Sequence, residues 1–179
     1  CTRAAGTDTA SAHPRGRGAC KAERSARCPY VNHVVRAATR VIEEYGITDP
    51  DLIIAGLLHD SVEDQAGLLA QKQQTQGGEV SGDTRRDALS YLKAIYGSRV
   101  AHIVAALSNP ELPKDTAQAE KNRHYKEHVA HAIQEEDVLY IKLADFSDNG
   151  FNLASVLDTP RRLKLGDKYE PVLDVFFSG

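Results

Sequence analysis

Four side chains of metal-ligand type lie far apart in this chain: His33, the adjacent pair His59 and Asp60, and Asp145. Each sits in an apolar stretch of helical period, so a fold that uses them together must bring three helices to one point. That requirement constrains the architecture more than any other feature. The middle stretch continues as HDSVED (59 to 64), which puts Glu63 and Asp64 one turn beyond the pair. On a helix His59 and Glu63 share a face, as do Asp60 and Asp64, so all four can line one pocket.

The apolar periodicity predicts an all-α chain. Val34, Val35, Ala38, Val41 and Ile42 form a helical stripe that stops at Gly46. Thr48-Asp49-Pro50 opens a second helix with Asp49 as its N-cap, and LIIAGLLHDSVED reads as one central, buried helix. Residues 65–84 are rich in Gln, Gly, Ser and Thr and read as the longest loop. Helices are expected over 84–96 and 98–107, parted by Gly97, then over 115–134 and 137–148. One or two short ones follow Pro160. No repeat and no strand ladder is visible. A length of 179 residues suits one domain, with 1–28 as a poorly defined lead-in and 29–179 as a helical bundle around a metal site.

A net charge of −3 gives no reason to expect a nucleic-acid partner, and no run of 18 apolar residues suggests a membrane span. The three cysteines, Cys1, Cys20 and Cys28, are odd in number and all lie in the lead-in. That stretch also lacks the apolar core of a secretory signal, so a cytoplasmic protein is expected. With no methionine in the sequence, a natural start upstream of Cys1 is expected.

Chemistry narrows the reading further. Imidazoles and carboxylates suit Mn²⁺, Fe²⁺ or Zn²⁺, and several oxygen ligands favour Mn²⁺. An HD dipeptide alone is commonplace, and His59 could merely cap an acidic helix end. Asp145 shifts the balance, because in IKLADFSDN it is flanked by Ile141, Leu143 and Ala144. A carboxylate buried there must be paired or bind metal, with Lys142 the competing partner. Asn149, one turn on, could hydrogen-bond a water or a phosphate. Lys142 and Arg36 are candidates for phosphate contact, with solvated surface charge the favoured role for each.

PYVNH (29 to 33), GLLHDSVEDQ (56 to 65) and IKLADFSDN (141 to 149) resemble the hydrolase domain of the RelA/SpoT alarmone enzymes. The similarity is greatest to the small stand-alone alarmone hydrolases, the metazoan SpoT-homologue group, and runs from about Pro29 to Asn152. It implies an HD-type bundle in which His33, His59, Asp60 and Asp145 hold a Mn²⁺ ion. Glu63 and Asp64 then orient and deprotonate the attacking water, and Asn149 lies near ribose or phosphates. The implied reaction removes the 3′-pyrophosphate of (p)ppGpp, a small-molecule nucleotide, leaving GDP or GTP. The chain departs from that pattern after Asp145, where Phe146, Ser147 and Asp148 stand in place of a basic residue, Leu and an aromatic or His. It departs again at Asn152, where Thr is common, and at CKAERSARC (20 to 28), in the region of a base-contacting element. Lys21, Arg24 and Arg27 are candidates for contact with base or phosphates, against a basic lead-in that touches nothing. Other nucleotides (ppApp, NADPH or a nucleoside monophosphate) remain alternatives, as does a non-catalytic nucleotide-binding module, for which the Glu63–Asp64 pair would have no use. The oligomeric state is left open.

Overall fold

The computed structural model describes residues 29–153 and 156–177, and these form helices joined by short connections. In order they are α1 (Pro29–Glu43), α2 (Pro50–Leu58), α3 (Ser61–Thr75), α4 (Thr84–Tyr96), α5 (Ser98–Leu107), α6 (Gln118–Ala132), α7 (Glu136–Asn152) and α8 (Thr159–Phe177). The all-α expectation is borne out. No helix among the described residues is long and apolar enough to cross a membrane.

Helix α1 buries Val34, Ala37, Ala38 and Val41, while Val35 and Ile42 face solvent. The buried seam is therefore rotated from the expected stripe and runs through small residues, which let α2 approach closely. Asp49 caps α2 as expected, accepting from the Asp51 N–H at 2.9 Å, with Pro50 in the first turn. Arg99 on α5 donates to Asp49 at 2.6 Å and to Asp137 at 2.7 Å, tying the starts of α2 and α7 together.

Two expectations need correction. The central helix is not continuous: α2 ends at Leu58, the His59–Asp60 pair occupies the junction, and α3 starts at Ser61. The stretch from 65, expected as loop, is mostly the body of α3. Its Gln, Ala, Leu and Lys residues have good helix propensity, and Ala66 and Leu69 pack on the core, so polarity misled where propensity did not. The true connection is short, turning at Gly77 and Gly82, both at positive φ. Asp83 then caps α4, accepting from the N–H groups of Arg85 (3.0 Å) and Arg86 (3.2 Å).

The core is built in two parts. The larger joins α1 to α5 and α7 through Val41, Leu52, Val62, Leu92, Val104, Leu107 and Ile141. The smaller lies between α6 and α8 around Tyr125, Val129, Tyr169 and Val172, with Phe146 of α7 packed on it. The tail is one 19-residue helix, not one or two short ones, despite Pro171 inside it. Proline leaves the carbonyl four residues back without its usual donor. Here that carbonyl, of Asp167, accepts from Asn122 Nδ2 of α6 at 3.2 Å. Helix α7 serves both cores, and Asp145 lies on it between Ala144, part of the larger core, and Phe146, packed on the smaller.

Candidate metal centre and adjoining cavity

Helix α1 brings His33, the α2–α3 junction brings His59 and Asp60, and α7 brings Asp145 to one point. His33 Nε2, His59 Nε2 and an oxygen of Asp145 lie within 4.8 Å of one another. Asp145 Oδ1 is 3.2 Å from His33 Nε2 and 3.6 Å from His59 Nε2. Asp60 closes the group, with carboxylate oxygens 3.3 Å from His59 Nε2 and 3.7 Å from His33 Nε2. The four residues singled out in the sequence therefore meet.

Each imidazole is held from its far side. His59 Nδ1 lies 2.8 Å from the Gly56 carbonyl, which can only accept, so the ring proton sits on Nδ1. The lone pair of Nε2 then faces Asp145 and Asp60, buried and without a hydrogen-bond partner. His33 Nδ1 lies 2.7 Å from Asp148 Oδ2. A carbonyl behind one imidazole and a carboxylate behind the other is the usual support for metal-binding histidines. Asp148 is fixed in turn by Arg36, whose Nε and guanidinium NH2 donate to its two oxygens at 2.6 and 2.9 Å. The structure thus gives Arg36 a carboxylate partner, a role its sequence position did not suggest.

The electrostatics fit a cation. Burial opposes charge on His59, yet Asp145 and Asp60 outweigh it and push its pKa up to about 10. His33 is raised as well, chiefly by Asp145. Burial alone would push the Asp145 carboxyl up, but His33, His59 and Lys142 hold it well below the usual range. The field at this point favours positive charge at His59 Nε2, which a proton or, in its place, a metal ion can supply. His33, His59 and Asp145 can hold a metal ion, with Asp60 beside them.

A cavity of about 230 Å³ opens in front of the cluster and is lined by Asp60, Glu63, Asp64, Lys142, Asn149 and Tyr169 among others. Glu63 is clamped by Asn109, whose backbone N–H and side-chain amide donate to Oε1 at 2.7 and 2.9 Å. Partial enclosure nonetheless raises the Glu63 carboxyl above its ordinary range, with Asp60 adding to the rise. Lys142, expected at the surface, is buried, and its ammonium donates to the Leu107 carbonyl at 3.3 Å. It also stands 3.9 Å from Asp145 Oδ2. Asn149 Nδ2 donates to Asp145 Oδ1 at 2.7 Å, so it steadies that carboxylate from inside the helix. Arg24, Lys21 and Arg27 lie outside the described residues.

Sequence reasoning missed Asp148, Asn109, Tyr125, Lys168 and Tyr169. The ammonium of Lys168 sits over the rings of Tyr125 (4.1 Å) and Tyr169 (5.1 Å), where burial pushes its pKa down. An acidic residue three places after Asp145, where an aromatic or His is expected, was the one available signal for Asp148. The others stand in segments whose pattern marks only a loop or polar helices.

An all-helical bundle with two histidines and two carboxylates converging between its cores has the HD-like arrangement. Among curated proteins the chain is 33% identical over 118 residues to a Danio rerio protein named guanosine-3′,5′-bis(diphosphate) 3′-pyrophosphohydrolase MESH1, covering 65% of this chain and 51% of that one. It is 40% identical over 57 residues to the Drosophila melanogaster protein of the same name, about 32% of each. The chain is thus similar to two members of the metazoan SpoT-like group that its motifs resemble. The aligned region spans about half the length of the first relative. No protein-family profile matches the chain, and no solved structure matches it.

Proposed function

We propose that the chain is a metal-dependent phosphohydrolase that removes the 3′-pyrophosphate of (p)ppGpp-like alarmones, with Mn²⁺ as its ion. The observation that carries this reading is His59 Nε2, buried without a hydrogen-bond partner and facing Asp145 and Asp60 beside the raised Glu63. His33, His59, Asp60 and Asp145 are the residues that would hold the ion. When bound, a divalent ion supplies Lewis acidity that neutralises phosphate charge and acidifies water.

The remaining steps belong to the chain's own groups. Glu63 accepts the proton of the attacking water, and a carboxylate raised toward neutrality is the better base for it. Its Oε1 is anchored by Asn109, which leaves Oε2 for that task. Asp64 orients the water from the same cavity wall. Water oxygen bonds to the phosphorus next to the ribose 3′-oxygen, the bond between that phosphorus and the 3′-oxygen breaks, and the ribose oxygen takes up a proton. Lys142 and Asn149 face the phosphates in this arrangement, and GDP or GTP leaves with pyrophosphate. The curated relatives bear the name of this activity, and a small nucleotide is the expected substrate, in the cytoplasm.

Turnover with Mn²⁺ against ppGpp, ppApp, NADPH and nucleoside monophosphates tests the reading. Release of pyrophosphate from a 3′-pyrophosphate nucleotide is expected. Glu63→Gln should cut the rate by about 10²-fold while metal analysis finds the ion retained. Hydrolysis of monophosphates with both 3′-pyrophosphate nucleotides untouched would replace it with a general nucleotidase.

A further inference from the structure

Glu63 gives the attacking water a base, but the other half of the reaction needs an acid. The bond that breaks joins phosphorus to the ribose 3′-oxygen, and an alkoxide leaves poorly unless a proton reaches it as the bond lengthens. The donor must reach the metal cavity, hold a proton at neutral pH and be free to part with it. Few of the groups that line the cavity meet these conditions. Asn149 is an amide, and its Nδ2 already donates to Asp145. Lys142 is buried, donates to the Leu107 carbonyl at 3.3 Å and stands 3.9 Å from Asp145 Oδ2, so it is bound in place. Burial pushes the phenols of Tyr125 and Tyr169 up, which makes both reluctant acids.

Lys168 of α8 is different. It lines the metal cavity and also a second cavity of about 320 Å³, so it stands where the two open into one cleft. Its ammonium rests 4.1 Å from the ring centre of Tyr125 and 5.1 Å from that of Tyr169. Aromatic faces attract a cation but cannot take its proton. Among the described residues no hydrogen bond or ion pair holds the ammonium. Burial pushes its pKa down and Lys142 adds to the fall, although Asp145, Glu63 and Asp60 oppose it. An ammonium shifted toward neutrality is the better proton donor.

We propose that Lys168 is the general acid of the reaction, its Nζ giving a proton to the ribose 3′-oxygen as the phosphorus–oxygen bond breaks. This assignment rests on the phosphohydrolase reading and completes its proton balance. Glu63 takes one proton from the attacking water, and Lys168 delivers one to the leaving oxygen. Solvent then reprotonates the amine through the second cavity while Glu63 returns its proton, so one water is consumed and both groups are restored. Glu63 and Lys168 reach the metal cavity from different helices, α3 and α8, as a base and an acid acting on opposite sides of one phosphorus require.

Sulfur in place of the leaving oxygen separates acid catalysis from every other role, because a thiolate departs without a proton. Pyrophosphate release by the metal-loaded protein is followed with ppGpp and with its analogue carrying sulfur at the 3′-bridge. Lys168→Gln should lower kcat on ppGpp by about 10²-fold, with KM changed far less, and leave the rate on the sulfur analogue within about twofold of wild type. Lys168→Arg keeps the charge on a group that does not release its proton, so it should not restore kcat. Equal losses on the two substrates, a raised KM with kcat intact, or an Arg variant with full kcat would overturn the assignment and leave Lys168 a phosphate contact or a packing residue. Wild-type protein that releases pyrophosphate from neither substrate would sink the reaction itself, and the acid with it.

Discussion

His33 shows how one residue's role depends on another more than a hundred positions away. Its Nε2 points at Asp145 because Asp148 fixes its Nδ1, and Asp148 is fixed because Arg36 forks onto both its oxygens. Asp148→Ala should therefore weaken metal binding by about 10- to 100-fold, as loss of such a support does elsewhere, without removing any ligand. Asp148→Asn, whose amide oxygen can still accept from Nδ1, should recover part of the loss. Metal titration of the three proteins checks this, and an Asp148→Ala variant with undiminished affinity would leave Asp148 a purely structural role. The ligands themselves were legible in the sequence because metal chemistry admits few residue types. Asp148 and Lys168 were not, because a carboxylate or an ammonium acquires such a role only from what the fold sets opposite it.

At the scale of elements, the periodic helices were the readable ones. Helices α4 and α5 fall where the apolar pattern and Gly97 place them, and α2 begins at its cap. Helix α3 was obscured because a run of Gln and Gly looks like loop by polarity, although Ala66 and Leu69 supply the apolar contacts. The connection between α3 and α4 is closed by Asp87, which accepts from the N–H and the hydroxyl of Ser81, both at 2.7 Å. These bonds hold its carboxyl below the usual range. A depressed folded value means that the stabilisation is present above the unfolded value, near pH 4, and is lost as the pH falls through the folded one. Asp87→Ala should therefore lower the melting temperature at pH 7, and the gap to the wild type should close below about pH 4. Thermal melts across that range decide it, and a gap independent of pH would trace the effect to packing instead.

For the molecule as a whole, the ligands come from α1, the α2–α3 junction and α7, so an ion there would clamp three parts of the larger core. Anything that binds only the folded state stabilises it, by about 4 kcal/mol at a thousandfold excess over its dissociation constant. Removing the ion with a chelator should lower the melting temperature, and adding Mn²⁺ back should restore it. Calorimetry with metal analysis measures this, and an unchanged melting temperature in protein shown to be metal-free would rule the clamp out. The division into two cores was not legible in the sequence, because α6 and α8 are polar on most faces and their shared apolar contacts are few.

The bond from Asn122 to the Asp167 carbonyl bears on more than the stability of α8. Two helices joined only by greasy side chains can dock in several settings that differ by a turn, with little to choose between them. A proline removes one backbone donor at a single place, and an amide on the neighbouring helix can satisfy the exposed oxygen in one setting alone. Pro171 and Asn122 therefore act as an index mark between α6 and α8. That mark falls within two residues of Lys168 and Tyr169, so the alignment that fills one stray acceptor also decides which side chains meet the cleft.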